Sequence, residues 1–199
     1  MSQVHVTNVS SGPATEPVTK DEVEAHLRIA ADSEDTFLDT LIKAARGFVE
    51  NETRRALITQ TLVLTLDHFP PARHIFLENA PLQSVTSVQY VDSAGSTQTF
   101  SSSSYSVSTA KTPGQIALSD GETWPVTKNE IDAVTITYVA GYGSASDVPQ
   151  AIKQAMLMLI GHWYENREDE TLMPGISSVK VEKGVDRLLR PYRVTVPGV

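Results

Sequence analysis

Cysteine is absent from the 199-residue chain. Disulfides, thiolate nucleophiles and cysteine-ligated zinc are therefore excluded, and the absence fits synthesis in a reducing cytosol. Long apolar runs are missing too. The longest, Ala155 to Ile160, falls far short of the ~18 residues of a membrane span, so no membrane partner is expected. The N-terminal "MSQVHVTNVSSGPATEPV" has no basic start followed by an apolar stretch, so no signal peptide is expected either. Aromatic residues make up only 7% of the chain. Positive charge is short: 16 Lys and Arg face 24 Asp and Glu, for a net charge of -8. A surface of that sign is repelled by phosphate backbones, which disfavours general nucleic-acid binding. What remains is a 40% hydrophobic content, enough for one compact domain or a small domain with an insertion.

Residues 1–17 are rich in Ser, Thr, Pro and Gly without periodicity, and read as a flexible N-terminal arm. Thr19-x-x-Glu22 is a capping box opening a short helix, Lys20 to Arg28. "ADSEDT" breaks that helix and caps the next, with Asp32 or Ser33 as N-cap. In the second helix Phe37, Leu41, Ala45 and Phe48 recur at helical spacing, and Leu38, Ile42 and Val49 widen the stripe. It is expected to end near Thr53 to Leu57. The period then changes to two. Leu62, Leu64 and Leu66 alternate with Thr61, Val63 and Thr65, and similar patterns continue to about residue 140. Residues 60–140 read as an antiparallel β region of six or seven short strands, with Trp124-Pro125 in a loop. A third helix is expected from Pro149 to Arg167, with Asp147 as N-cap. A helical turn at Val185 to Leu189 and an extended tail follow, Pro191 stopping the turn. The expected fold class is α+β: a small three-helix bundle with an antiparallel β insertion between helices two and three. The domain plan is an arm (1–17), a helical domain carrying the insertion (18–170) and a C-terminal tail (171–199).

Catalytic chemistry finds no constellation. His162 and Glu165 in "GHWYENRED" stand three apart on a helix and can face the same way. A metal-dependent hydrolase would need a second His at i+4, and none is there. No Gly-Lys-Ser/Thr loop and no Gly-x-Ser-x-Gly elbow occurs, and Gly141-x-Gly143 follows an antiparallel strand, so it reads as turn chemistry. No catalytic residue, metal site or cofactor is expected. Two groups point to assembly instead. Ile152, Met156, Leu159, Ile160 and Trp163 form an apolar stripe on the third helix, while Leu157, Met158 and Tyr164 spill onto other faces. Such a helix must be covered on most sides. Met156, Ile160, Trp163 and Tyr164 are candidate subunit-interface residues, with the chain's own core as the alternative. Arg187, Arg190 and Arg193 beside Leu188, Leu189 and Tyr192 mix Arg, aliphatic and Tyr side chains, as interfaces do; a solvated tail is the alternative.

The segments "VTKDEVEAHLRI", "FLDTLIKAARGFVENETRRALITQTLVLTLDHFP", "VTITYVAGYG", "VPQAIKQAMLMLIGHWYENRE" and "GVDRLLRPYRV" resemble the head-tail connector proteins of long-tailed bacteriophages. These are also called adaptor or head-completion proteins, with relatives in prophages and gene transfer agents. The resemblance runs from about Val18 to Val194. It implies a structural virion protein at the head-tail interface, made in the bacterial host cytoplasm and performing no enzymatic reaction. It implies a ring, usually of twelve subunits, under the portal protein, extending the DNA channel and offering a docking surface to a tail-side stopper or completion protein. Double-stranded DNA would pass through without specific binding. By that resemblance Leu188, Leu189, Pro191, Tyr192 and Arg193 are candidates for the portal contact. A tail-side completion or stopper protein is the alternative position, and a metal-dependent hydrolase using His162 and Glu165 the alternative class.

Overall fold

The protein is described from a computed structural model covering residues 6–30, 34–166 and 178–195. In chain order the elements are β1 (Val6–Ser11), α1 (Lys20–Leu27), α2 (Asp35–Thr53), β2 (Gln60–Leu66), β3 (His74–Leu77), β4 (Leu82–Val91), β5 (Thr97–Thr99), β6 (Tyr105–Ser108), β7 (Gly114–Leu118), β8 (Val134–Ala140), α3 (Gln150–Glu165) and α4 (Ser178–Leu189). The chain divides into two compact units. A helical unit takes Thr15–Ile58 and Tyr142–Arg193, and a sheet unit takes Thr59–Gly141 with the described chain ends.

In the helical unit α1 opens with the expected capping box. The Thr19 hydroxyl accepts from the Glu22 amide at 3.2 Å, and the Glu22 carboxylate accepts from the Thr19 amide at 2.8 Å. The N-cap of α2 is Glu34, not Asp32 or Ser33, which lie outside the described residues. The inward stripe of α2 is Leu38, Leu41, Ile42, Ala45, Val49 and Thr53. Phe37 is only half-buried and Phe48 is exposed, so the stripe is centred away from the aromatics. Pro149, rather than Asp147, is the N-cap of α3. Asp147 instead closes the preceding 3₁₀ turn, accepting from the Ser144 hydroxyl at 2.7 Å and the Ser144 amide at 2.8 Å. Those bonds hold its carboxyl below the usual range. The core of this unit joins Val23, Leu38, Ala45, Val49, Ile152, Met156, Ile160, Val185 and Leu189, all nearly or fully buried.

The sheet unit holds two antiparallel sheets, a five-stranded one in the order β1-β2-β8-β4-β5 and a three-stranded one in the order β3-β7-β6. Period-two burial is clean in the central strands. Leu62, Leu64 and Leu66 of β2 and Val134, Ile136, Tyr138 and Ala140 of β8 are all nearly or fully buried.

The three-helix bundle with a single β insertion is therefore incorrect. The described residues hold four helices and eight strands in two sheets. The stretch expected as a flexible arm carries β1, paired with β2 from Val6↔Thr65 to Ser11↔Thr61. An edge strand needs only a backbone partner, so little apolar alternation marks it, and Val9 stays 58% exposed. The C-terminal turn at Val185 to Leu189 is the end of a 12-residue helix, followed by a 3₁₀ turn at Arg190–Tyr192. The Val-Lys-Val-Glu alternation before Gly184 conceals its helical period. Gly184 of α4 packs against Met158 of α3, whose flexible methyl end would have to move aside for a Cβ there, at 2.7 Å.

Candidate functional site

The helical unit gathers most of the residues singled out above. At the end of α3, Trp163 meets Phe48 of α2 edge-to-face, with ring centroids 6.2 Å apart at 84°. Tyr164 tilts against Phe37 at 6.1 Å. Both α3 aromatics are half-buried, so each has an apolar body covered and a margin left for contact. Met156 and Ile160 are different: both are fully buried in the chain's own core.

His162 is engaged at the end of α3 by Asn166. The Asn166 side-chain amide lies 3.1 Å from His162 Nδ1 and donates to the His162 carbonyl at 2.8 Å, which closes the helix end. Glu165 is exposed. Among the described residues no group of three or more His, Cys, Asp or Glu side chains could hold a metal ion, and no helix is long and apolar enough to cross a membrane.

Alpha-helices α2 and α4 flank a groove of about 150 Å³ lined by Phe48, Glu52, Leu159, Val185, Asp186, Leu189 and Arg193. The Arg193 guanidinium bonds Glu52 on one side and Asp186 at 2.8 Å on the other. The bond to Glu52 is the main reason its pKa rises above the usual arginine value. Nearby, Arg55 Nε donates to the Tyr192 carbonyl at 2.6 Å, and its guanidinium lies 5.7 Å from the centroid of the Tyr142 ring. These contacts fasten the end of α4 to α2. Leu189 is thus wholly buried and Leu188 and Tyr192 half-buried, while Pro191 and Arg193 are exposed. A second, shallower groove of about 560 Å³ runs past Val18, Ile42 and Ala145, with Glu16, Lys20 and Asp39 at its margin. Sequence reasoning missed the α2–α4 groove because it did not foresee α4.

The geometry is that of a packed scaffold with open grooves, and the comparisons with known proteins agree. A family model for head completion proteins matches residues 16–185. The chain belongs to the head completion protein family. The match begins close to the Val18 expected from the quoted motifs and stops before "LLRPYR", so the end of α4 lies beyond it. No curated protein matches this family member significantly. Among solved structures it is similar to a chain from the virion of a native gene transfer agent particle, at 26% identity and a TM-score of 0.79, over 98% of both chains. It is similar to a chain from the neck of an empty gene transfer agent particle, computed with C6 symmetry, at 27% identity, TM-score 0.79 and 98% coverage of both chains. A chain from the neck of the native particle, computed with C12 symmetry, matches at 28% identity and a TM-score of 0.72, over 100% of this chain and 99% of that one.

Proposed function

We propose that this head completion protein is a structural part of the head-tail connector of a tailed-phage-like particle, where twelve copies form a ring below the portal. The observation that carries the reading is the full-length likeness to chains from gene transfer agent particles, two of them from necks, added to family membership over residues 16–185. The ring extends the DNA channel and presents a docking surface to the next tail component, and the protein catalyses no reaction. An acidic chain of net charge -8 suits a passage, since few cations are available to hold phosphates.

For the portal contact the exposed end of α4 is the best-supported surface: Pro191, with the half-buried Leu188 and Tyr192 beside it. Leu189 is unavailable and Arg193 already bridges Glu52 and Asp186. A reconstruction of the particle with this chain traced in it tests the position directly. Density for the chain on the tail side of the connector, away from the portal, would support the stopper reading instead. Carrying Pro191→Glu and Tyr192→Glu together, the protein is expected to sediment with purified portals at least about tenfold less; undiminished binding would move the portal contact elsewhere.

A further inference from the structure

The sheet unit carries a loop, residues 120–132, that exposes two aliphatic side chains almost completely. Val126 is 80% and Ile131 81% exposed, well above the next exposed large hydrophobic among the described residues, Val9 at 58%. The loop is nevertheless tied down. Trp124 stacks on Phe69 with centroids 4.8 Å apart at 4°, and Phe100 lies 5.5 Å away. Trp124 Nε1 donates to the Ala72 carbonyl at 2.8 Å, the Lys128 amide to the Val91 carbonyl at 2.9 Å, and the Asp132 amide to the Asp67 carboxylate at 3.1 Å. A fastened loop gives up little freedom on docking, so its exposed apolar surface is held ready for a partner. It is also acidic. Asp120, Glu122, Glu130 and Asp132 outnumber Lys128, which pairs with Glu130 at 2.7 Å.

The helical unit offers the opposite character. The α2–α4 groove presents Phe48, 44% exposed, at its edge, over a nearly or wholly buried floor of Leu159, Val185 and Leu189. Its acids, Glu52 and Asp186, are both engaged by Arg193. Lys183 and Arg187 of α4, four apart on one face, and Arg190 in the 3₁₀ turn after it are all exposed. One surface is therefore an aliphatic knob within an acidic margin, and the other an apolar cleft beside a basic one.

We infer that the 120–132 loop of one copy docks into the α2–α4 groove of the next copy, Val126 and Ile131 entering beside Phe48 while the loop's acids face Lys183, Arg187 and Arg190. The inference deepens the ring reading and rests on it. A closed ring needs two different, mutually complementary patches on each copy. Loop and groove meet that need in shape and in sign, and opposite charges at the margin fix the register.

The absence of cysteine makes a direct test clean. Particles are assembled with full-length protein carrying Phe48→Cys together with Ile131→Cys, or with Val126→Cys as a second probe, and then mildly oxidised. The expected result is a ladder of disulfide-linked multimers on a non-reducing gel, absent from each single variant. Separately, Arg187→Glu with Arg190→Glu should lower incorporation into particles at least about tenfold, and Glu130→Arg with Asp132→Arg in the same chain should restore it. Electron microscopy of the same particles reports the ring. A ring that forms with neither cysteine pair cross-linking overturns the contact and leaves the ring reading standing. Unaltered particles without a ring sink both. If the charge-reversed protein still forms rings but the particles lose packaged genome, the basic shoulder reads nucleic acid and the docking inference is overturned.

Discussion

Gly114 sits where β7 of the small sheet meets β4 of the large one. A Cβ at that position would come 2.4 Å from Leu82 Cβ and 2.6 Å from Leu82 Cδ2, and Leu82 is itself buried. Gly114→Ala should therefore cost about 1–3 kcal/mol through overpacking. A thermal melt followed by circular dichroism should show a drop of about 2–4 °C for each kcal/mol lost. Tyr138 gives a pH-dependent counterpart. Burial pushes its phenol well above the usual tyrosine value, and its hydroxyl donates to the Glu78 carbonyl at 2.8 Å. The folded state keeps this proton while the unfolded chain gives it up near pH 10. The stability Tyr138 contributes is thus whole below about pH 10 and falls as the pH rises further. Tyr138→Phe should cost about 1–2 kcal/mol at neutral pH by removing the Glu78 carbonyl's donor. It should also flatten the decline in urea midpoint above about pH 10. The inward direction of Tyr138 was legible from the alternation in "VTITYVA"; its acceptor was not, because Glu78 lies 60 residues away in sequence.

Among the elements, α1, α2 and α3 could be read from the sequence because a 3.6-residue period of apolar side chains and a capping box leave local marks. The centre of the α2 stripe could not. Phe37 and Phe48 are the largest apolar residues there, yet packing turns Leu38, Ala45 and Val49 inward. The fourth helix was legible only in its last turn. Its burial sets what a C-terminal truncation should do: a cut after Gly184 removes Val185 and Leu189 from the core of the helical unit. Leu189→Ala is expected to cost about 2–5 kcal/mol, seen as a lower midpoint in chemical denaturation, whereas Pro191→Ala on the exposed turn should leave the midpoint unchanged. Equal stability of the two variants would show that α4 is not part of that core. The candidate interface residues divide along the same line. Residue type nominated Met156 and Ile160 together with Trp163 and Tyr164, and only burial separates the core pair from the half-exposed pair.

For the whole molecule, the family was legible from motif order and the two-sheet architecture was not. Strand alternation says which residues face inward, but pairing partners such as β2 with β8 are set by contacts far apart in sequence. Within the helical unit the Tyr142 amide donates to the Leu57 carbonyl at 3.3 Å. Within the sheet unit Gln60 stands opposite Ala140. The long segment between them thus leaves and returns through adjacent backbone positions. Replacing residues 59–141 by a short glycine-containing turn and removing residues 1–14, whose β1 pairs with β2, should leave a helical unit that melts cooperatively, with a helical far-ultraviolet spectrum. A molten, non-cooperative product would show that the helices need the sheet unit to fold.

Closely spaced ends of that kind make the 59–141 segment an exchangeable part, provided that β1, which pairs with β2 from outside it, is exchanged with it. Insertions of other lengths or surface chemistries can be plugged in between Leu57 and Tyr142 without rerouting the helices. An engineer can graft a foreign loop at that socket by the same route.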